Sequence, residues 1–298
     1  MDYICLGLST LDYNWSVPQI PASGEKVLAN HFFPAGGGMA ATAAVTIARL
    51  GGEVAFWGRA GDDSAGHIMQ QELREHGVNV DHFQLFGDAR SPVAAVLVDP
   101  QGERQISTFR GDGLPESSAW LPLDTVANAR AALADMRWLD GAAALFSSAR
   151  QHGIPTVLDA DIADSPDYSK LLAHCEYAIF SAIGLKTFAP GCDVSTALQQ
   201  ARQLGCIAAG VTNGNQGSLW LDKNALHHVP AVEIDAVDTT GAGDVFHGAF
   251  TFRIGEGYPC LDALEYATAA AAIKCSQPGG RTGIPDRQTL TDFIKSRL

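Results

Sequence analysis

The chain has 298 residues, 46% apolar and 18% charged, the composition of a soluble globular protein long enough for one large α/β domain with a small appendage and too short for three ordinary domains. A formal net charge of -13, with no block of Lys or Arg to offset it, argues against a nucleic-acid surface. The cysteines Cys5, Cys175, Cys192, Cys206, Cys260 and Cys275 form no C-x-x-C or Cys/His cluster, and Met1-Asp2-Tyr3 opens without a basic region. The expectation is reduced thiols in a cytoplasmic protein, with no structural zinc, signal peptide or membrane span.

Tyr3 to Leu8 reads as a short buried strand, and the Ser9-Thr10-Leu11-Asp12 after it stands where open α/β sheets bind ligands. Asp12 there could accept two hydrogen bonds from vicinal hydroxyls or simply form a turn. Segments 13–34 and 89–113 are Pro-punctuated and partly alternating, with Trp15-Ser16-Val17, Lys26 to Ala29, Val93 to Val98, an Asp99 to Gly102 turn, and Arg104 to Phe109. They predict a small β-sheet lying as a lid over a main domain made of 1–12, 35–88 and 114–298. Met39 to Leu50 is an Ala-rich helix stopped by Gly51-Gly52, Val54 to Trp57 a strand, and Ala65 to His76 a helix stopped by Gly77. After Pro115 strands and helices alternate: Ala144 to His152 helical, Thr156 to Leu158 and Tyr177 to Phe180 strands, Val194 to Leu204 helical. That alternation implies a mostly parallel sheet covered by helices on both faces.

The run Asp238-Thr239-Thr240-Gly241-Ala242-Gly243-Asp244 precedes a helical apolar pattern that begins at Val245. Unpaired amides of Gly241, Ala242 and Gly243 at a positive helix end suit a phosphoryl group, and the Asp244 carboxylate beside them could accept a hydroxyl proton as that group transfers. A second glycine cluster, Ala35-Gly36-Gly37-Gly38-Met39-Ala40-Ala41-Thr42, satisfies the loose spacing of a dinucleotide fingerprint and so raises a nicotinamide oxidoreductase. The fit is poor, because Phe32-Phe33-Pro34 breaks the strand expected before the first glycine and Glu53 precedes the next strand. No G-x-x-x-x-G-K-[ST] is present, which rules out a Walker-type nucleotide site. Val211 to Gly217 ends a strand with an Asn-Gly turn, a hairpin signal in its own right. Arg137, close behind an apolar-rich segment, calls for an anionic partner, either Asp135 or Asp140 or a ligand.

The residue 238–244 run resembles the second signature of the ribokinase (PfkB-type) carbohydrate kinases, and the Gly36 to Thr42 cluster resembles the first, with Thr42 where the family usually has Asn. The resemblance covers essentially the whole chain. It implies a ribokinase-like three-layer α/β/α domain with a β-sheet lid, and transfer of the ATP γ-phosphoryl group to a primary hydroxyl of a ketose-like sugar. The partly apolar lid strands, short of burial when alone, predict packing against the lid of a second subunit in a homodimer. Asp244 becomes the base and Gly241 to Gly243 the anion hole; Asp12, Gly37, Gly38 and Thr42 hold the sugar. Thr212, Gly214 and Gly217 become the nucleotide loop, and Ser276 to Gly283, including Gly279, closes over adenine. Asp238 and Thr240 would join a shell for a potassium ion. The family's N-x-x-E is absent at Ser181 to Gly184, leaving magnesium to the ATP phosphates and water, with Asp159 or Asp161 assisting. The G-G-G-x-A-A-T-A-A, D-x-R-W-x-D-G and G-G-R-x-G-I-P patterns look like the sulfofructose kinase branch, which would make the substrate anionic. Lys26, Arg137 and Arg281 bear on that choice, with Thr108 where the branch has Asn and Arg110 nearby. An unmodified or phosphorylated ketohexose is the alternative, and a sugar-binding regulator without turnover a further one.

Overall fold

The structure, a computed structural model, describes residues 2–162, 169–223 and 225–297; Met1 and Leu298, the ends of the expected main domain, lie outside the described residues. In chain order the elements are β1 (Tyr3–Gly7), β2 (Thr10–Ser16), β3 (His31–Gly37), α1 (Met39–Arg49), β4 (Val54–Gly61), α2 (Ser64–Glu75), β5 (Phe83–Phe86), β6 (Val93–Val98) and β7 (Arg104–Phe109). They continue with β8 (Ala131–Asp135), α3 (Leu139–Gln151), β9 (Thr156–Ala160), α4 (Ser169–Leu172), β10 (Tyr177–Ser181), α5 (Ala182–Phe188), α6 (Val194–Gln203) and β11 (Ala208–Thr212). The last are β12 (Ser218–Leu221), β13 (Leu226–Val229), α7 (Ala242–Gly255), α8 (Cys260–Cys275) and α9 (Arg287–Lys295).

The main sheet runs β13-β12-β11-β10-β9-β8-β1-β4-β5, parallel from β11 to β5, with β12 and β13 turned back antiparallel at one edge. Every residue of β1, β4, β8 and β9 is buried, as expected of parallel strands covered on both faces. Tyr3 and Cys5 pack on one face with Val45 of α1, Val245 of α7 and Ala267 of α8; Ile4 and Leu6 pack on the other with Leu145 of α3 and Leu198 of α6. Each fully buried Leu, Val or Phe stabilises such a layer by roughly 1.5–3 kcal/mol relative to exposure. Helix α3 begins at Leu139, earlier than the Ala144 expected from periodicity, because Gly141 lets the helix run beneath the Trp138 ring; a Cβ there would sit 2.5 Å from it.

The second sheet has four strands in the order β3-β2-β6-β7. Its register places Ala35, Asp12, Ala94 and Thr108 in one row across the strands. The chain enters this sheet at Thr10, three residues past the buried end of β1, and leaves it at Gly37, so the strands begin before and end after the segment 13–34. Asp12 therefore stands inside a lid strand, which carries it over the C-terminal ends of the main sheet.

Candidate active site

Gly241 caps α7 with a φ of 74°, the left-handed conformation that glycine adopts without strain. The turn places Gly243 and Asp244 in the first helical turn, where backbone N–H groups lack intrahelical acceptors. Of the expected anion-hole amides, that of Ala242 already donates to the Thr239 carbonyl at 3.2 Å. Ala242 and Gly243 line one cavity of about 660 Å³, while Gly241 and Asp244 line a second of about 870 Å³. One helix end is thus the wall between two spaces. No protein atom comes within 4 Å of a Cβ built on Gly243, so packing does not require glycine there; the room it leaves belongs to the cavity.

The second cavity is polar. Asp12 reaches it from β2, with Thr10 hydrogen-bonded to its carboxylate and Oδ1 buried without a hydrogen-bond partner. Burial raises the pKa of this carboxyl, opposed by the nearby Arg281 charge. An unsatisfied buried acceptor costs about 1–3 kcal/mol, which a donating hydroxyl would recover. Gly37 and Gly38 bring the backbone of the β3–α1 turn alongside, and a Cβ on Gly37 would lie 2.4 Å from Asp12 Oδ2. Arg281, buried, spans the same wall: Nη2 donates to the Gly37 carbonyl at 2.7 Å, Nε to Thr42 Oγ1 at 3.2 Å, and Nη1 to Glu72 Oε1 at 3.3 Å. The Thr42 hydroxyl, expected among the sugar-holding residues, lines this cavity and accepts from Arg281, with its own O–H left to donate.

Asp244 is half-buried, at a place where other acids crowd it. Burial first, and then the charge of Asp159, push its pKa up to about 7, opposed by His247 and Arg281. His247, one turn along α7, presents Nδ1 to the Gly243 carbonyl at 2.7 Å and to Asp159 Oδ2 at 3.4 Å, and Nε2 to the Ile179 carbonyl at 3.3 Å. A carboxylate with such a pKa is suited to taking a proton near neutrality. Asp161 accepts from Ser181 Oγ at 2.6 Å. Among the described residues no group of three or more His, Cys, Asp or Glu side chains could hold a metal ion. The donor set fits a magnesium ion carried by a triphosphate and water better than one held in a protein cage.

The first cavity takes Thr212, Gly214 and Gly217 from the β11–β12 connection, closed by Phe246 of α7 and Ala271 of α8. Gly279, expected with them, lines the second cavity instead. A largely apolar slot ending at a helix N-terminus has the form of a site for a base and its phosphates.

The model of the pfkB family carbohydrate kinases matches residues 2–287. The chain belongs to the PfkB family. Among relatives of this carbohydrate kinase, ribokinase of Bacillus subtilis is 26% identical, over 99% of this chain and 100% of the relative. Aminoimidazole riboside kinase of Salmonella typhimurium is 29% identical over 90% of each chain. A crystal structure from Agrobacterium tumefaciens, provisionally named a ribokinase, is 30% identical, with a TM-score of 0.94 over 100% of this chain and 98% of that one. The ribokinase-like α/β fold with its small second sheet is shared.

Two further features of this PfkB kinase lie beside these cavities. A third cavity of about 370 Å³, on the Leu8–Thr10 side of Asp12, is lined by Arg59, Arg110, Arg137 and Thr108, with Asp112 and Glu116 at its wall. Arg59 is fixed by the carbonyls of Pro115 and Arg137, by Glu116 at 3.3 Å and by the Trp138 ring at 4.4 Å. The Asp135 carboxylate accepts from the amides of Leu8, Ala40 and Arg137 at 2.7, 3.1 and 2.9 Å, and the Arg137 charge opposes the rise that burial gives its pKa. Lys26, expected with Arg137, is exposed on the β2–β3 connection and lines none of the three cavities; a lone ammonium is most stable in water.

The second feature is the Asp238 cluster. Oδ1 accepts from Arg104 of β7 at 2.7 Å and from the Thr240 amide at 2.9 Å. Oδ2 accepts from the amides of Gly279 and Gly280 at 3.0 and 3.3 Å, and the fully buried Lys274 ammonium donates to the Asp238 carbonyl at 2.8 Å. These donors hold the carboxyl well below the ordinary range. Sequence reasoning missed Lys274, Arg104, Arg59 and Glu72. For Lys274 a signal existed: it ends the run Ala269 to Ile273, an apolar turn in which a cation calls for an acid.

Proposed function

We propose that this carbohydrate kinase phosphorylates a primary hydroxyl of a ketose-like sugar that carries an anion at its far end, with 6-deoxy-6-sulfofructose the first choice. The observation that carries this reading is the pairing of Arg110 and Arg137 in the third cavity. Burial and then the Arg137 charge lower the pKa of Arg110, and an anion at the wall that the two guanidiniums share would offset that repulsion. Thr108 stands in the same strand row as Asp12, and Thr10, hydrogen-bonded to the Asp12 carboxylate, lines the third cavity, so that cavity adjoins the place where a sugar held by Asp12 would lie.

Asp244 accepts the proton of the attacking hydroxyl. As the oxygen bonds to the γ-phosphorus, the bond to the β-phosphate bridging oxygen breaks and ADP leaves. The Gly241 to Gly243 turn stabilises the charge spread over the transferring group. Magnesium bound to the triphosphate would neutralise phosphate charge. We also infer a cytoplasmic protein that dimerises through its lid, on which Phe32, Phe33 and Ile106 are exposed. Among the described residues no helix is long and apolar enough to cross a membrane.

A second reading, a neutral pentose or hexose, is favoured by the names of the relatives, which include ribokinases and, at 28% identity, a probable fructokinase of Arabidopsis thaliana. Arg137→Ala separates the two. With an anionic substrate its KM for sulfofructose rises about 10–100-fold, the weight of a charge-assisted contact of about 1.5–3 kcal/mol, while fructose is little affected. Equal losses on both sugars, or a parent enzyme that prefers fructose, would overturn the anionic reading and leave the kinase assignment intact.

A further inference from the structure

The family resemblance puts a monovalent cation against Asp238 and Thr240, beside the loop that leads into the anion hole. The residues of this chain do not fit a mobile ion there. Every oxygen of Asp238 is already engaged: the carbonyl by Lys274 Nζ at 2.8 Å, Oδ1 by Arg104 and the Thr240 amide, and Oδ2 by two amides, with Nζ at 3.5 Å. Lys274 has no exposure to solvent, and its helix is bound to the same stretch of chain, because the Cys275 carbonyl accepts from the amides of Val237 and Asp238 at 2.8 and 3.1 Å. A second cation entering beside Nζ would meet a like charge at contact distance in a buried place, where such repulsion is strongest.

We infer that the ammonium of Lys274 is a covalently tethered replacement for the monovalent cation, and that this kinase needs no potassium. The charge lies two residues before Thr240 and shapes the backbone that presents Gly241 to Gly243. Cys275, next to it in α8, and Thr239, next to Asp238, both line the nucleotide cavity. Lys274 touches neither nucleotide nor sugar space, which makes it a positioning residue for the anion-hole loop.

The test is ADP affinity by calorimetry, which needs no knowledge of the sugar, on the parent protein in potassium chloride and in tetramethylammonium chloride at equal ionic strength. The expected result is the same affinity within about twofold. Tightening of about tenfold or more by potassium, the usual size of a linked effector, would overturn the inference. Lys274→Ala should bind ADP at least about tenfold more weakly in tetramethylammonium and regain part of that affinity with potassium or ammonium ions, which fit the space left behind. Lys274→Met, which fills the space without a charge, should not respond. A merely structural lysine would give variants indifferent to the added ion, and that result, or parental affinity of Lys274→Ala without potassium, also sinks the idea. If both variants fail to fold, the comparison on the parent protein decides.

Discussion

Replacing Asp244 by Asn should damage catalysis and improve stability together. The folded protein raises the carboxyl from an ordinary 3.8 to about 7, with burial the leading cause and Asp159 the next. A raised acid pKa means that the folded state binds a proton more readily than the unfolded chain. Stability from this group is therefore fully present below the unfolded value and lost as pH rises through the folded one. At about 1.4 kcal/mol per pH unit, a charged Asp244 costs the fold on the order of 4 kcal/mol at pH 8, part of it shared with its acidic neighbours. The amide keeps the shape without the charge. Asp244→Asn should raise the melting temperature by several degrees at about pH 8 and leave it nearly unchanged at about pH 4. Turnover should fall by about 10²–10⁴-fold, the contribution of a general base, while ADP affinity stays parental. Thermal unfolding at the two pH values and steady-state ADP release are the assays. A variant less stable than the parent at the higher pH would show that Asp244 is held by favourable charge contacts, and turnover within a few-fold of the parent would remove it from the mechanism.

The kcat/KM of the parent should rise with pH through an inflection near 7, because Asp244 must lose its proton to act; a flat profile from about pH 5 to 8 would refute that role. Gly37→Ala should raise the sugar KM strongly with ADP affinity unchanged, since the new Cβ would stand 2.4 Å from Asp12 Oδ2; an unchanged KM would separate Asp12 from the sugar. Gly243→Ala should fold as the parent does, having no protein atom within 4 Å of its Cβ, yet lose nucleotide affinity, and parental ADP binding would place the phosphates elsewhere. Phe32→Asp should convert a lid-paired dimer to monomer in sedimentation at micromolar concentration; a monomeric parent would dismiss the pairing.

The parts of the site that were legible in the sequence are those built from neighbours in the chain. Gly241 to Asp244 announce a helix entrance because the turn, the cap and the apolar pattern lie within one short run. The strand at Tyr3 and the helix at Met39 are legible for the same reason, a continuous apolar stretch and an Ala-rich period stopped by Gly51. Contacts between distant residues were not. Arg281 finds Thr42 across 239 residues and Glu72 across 209, and no local pattern records that pairing. Thr42, which lines the second cavity, thereby also accepts from a buried guanidinium that its own stretch of sequence does not announce. For Lys26 the residue type shows charge but not reach: its connection is exposed, while Arg59, Arg110 and Arg137 are the cations that line the third cavity.

The hydrogen bond from Arg104 to Asp238 makes the lid and the phosphate loop a single part for anyone who would redesign this enzyme. A lid transplanted from a relative would bring its own sugar preference, but without a guanidinium at the position of Arg104 it would also strip one of the two side-chain cations from Asp238 and loosen a loop that it never touches by shape. Specificity and rate are joined here by one carboxylate, so the smallest module that can be exchanged is the lid together with the Asp238 stretch that Arg104 binds.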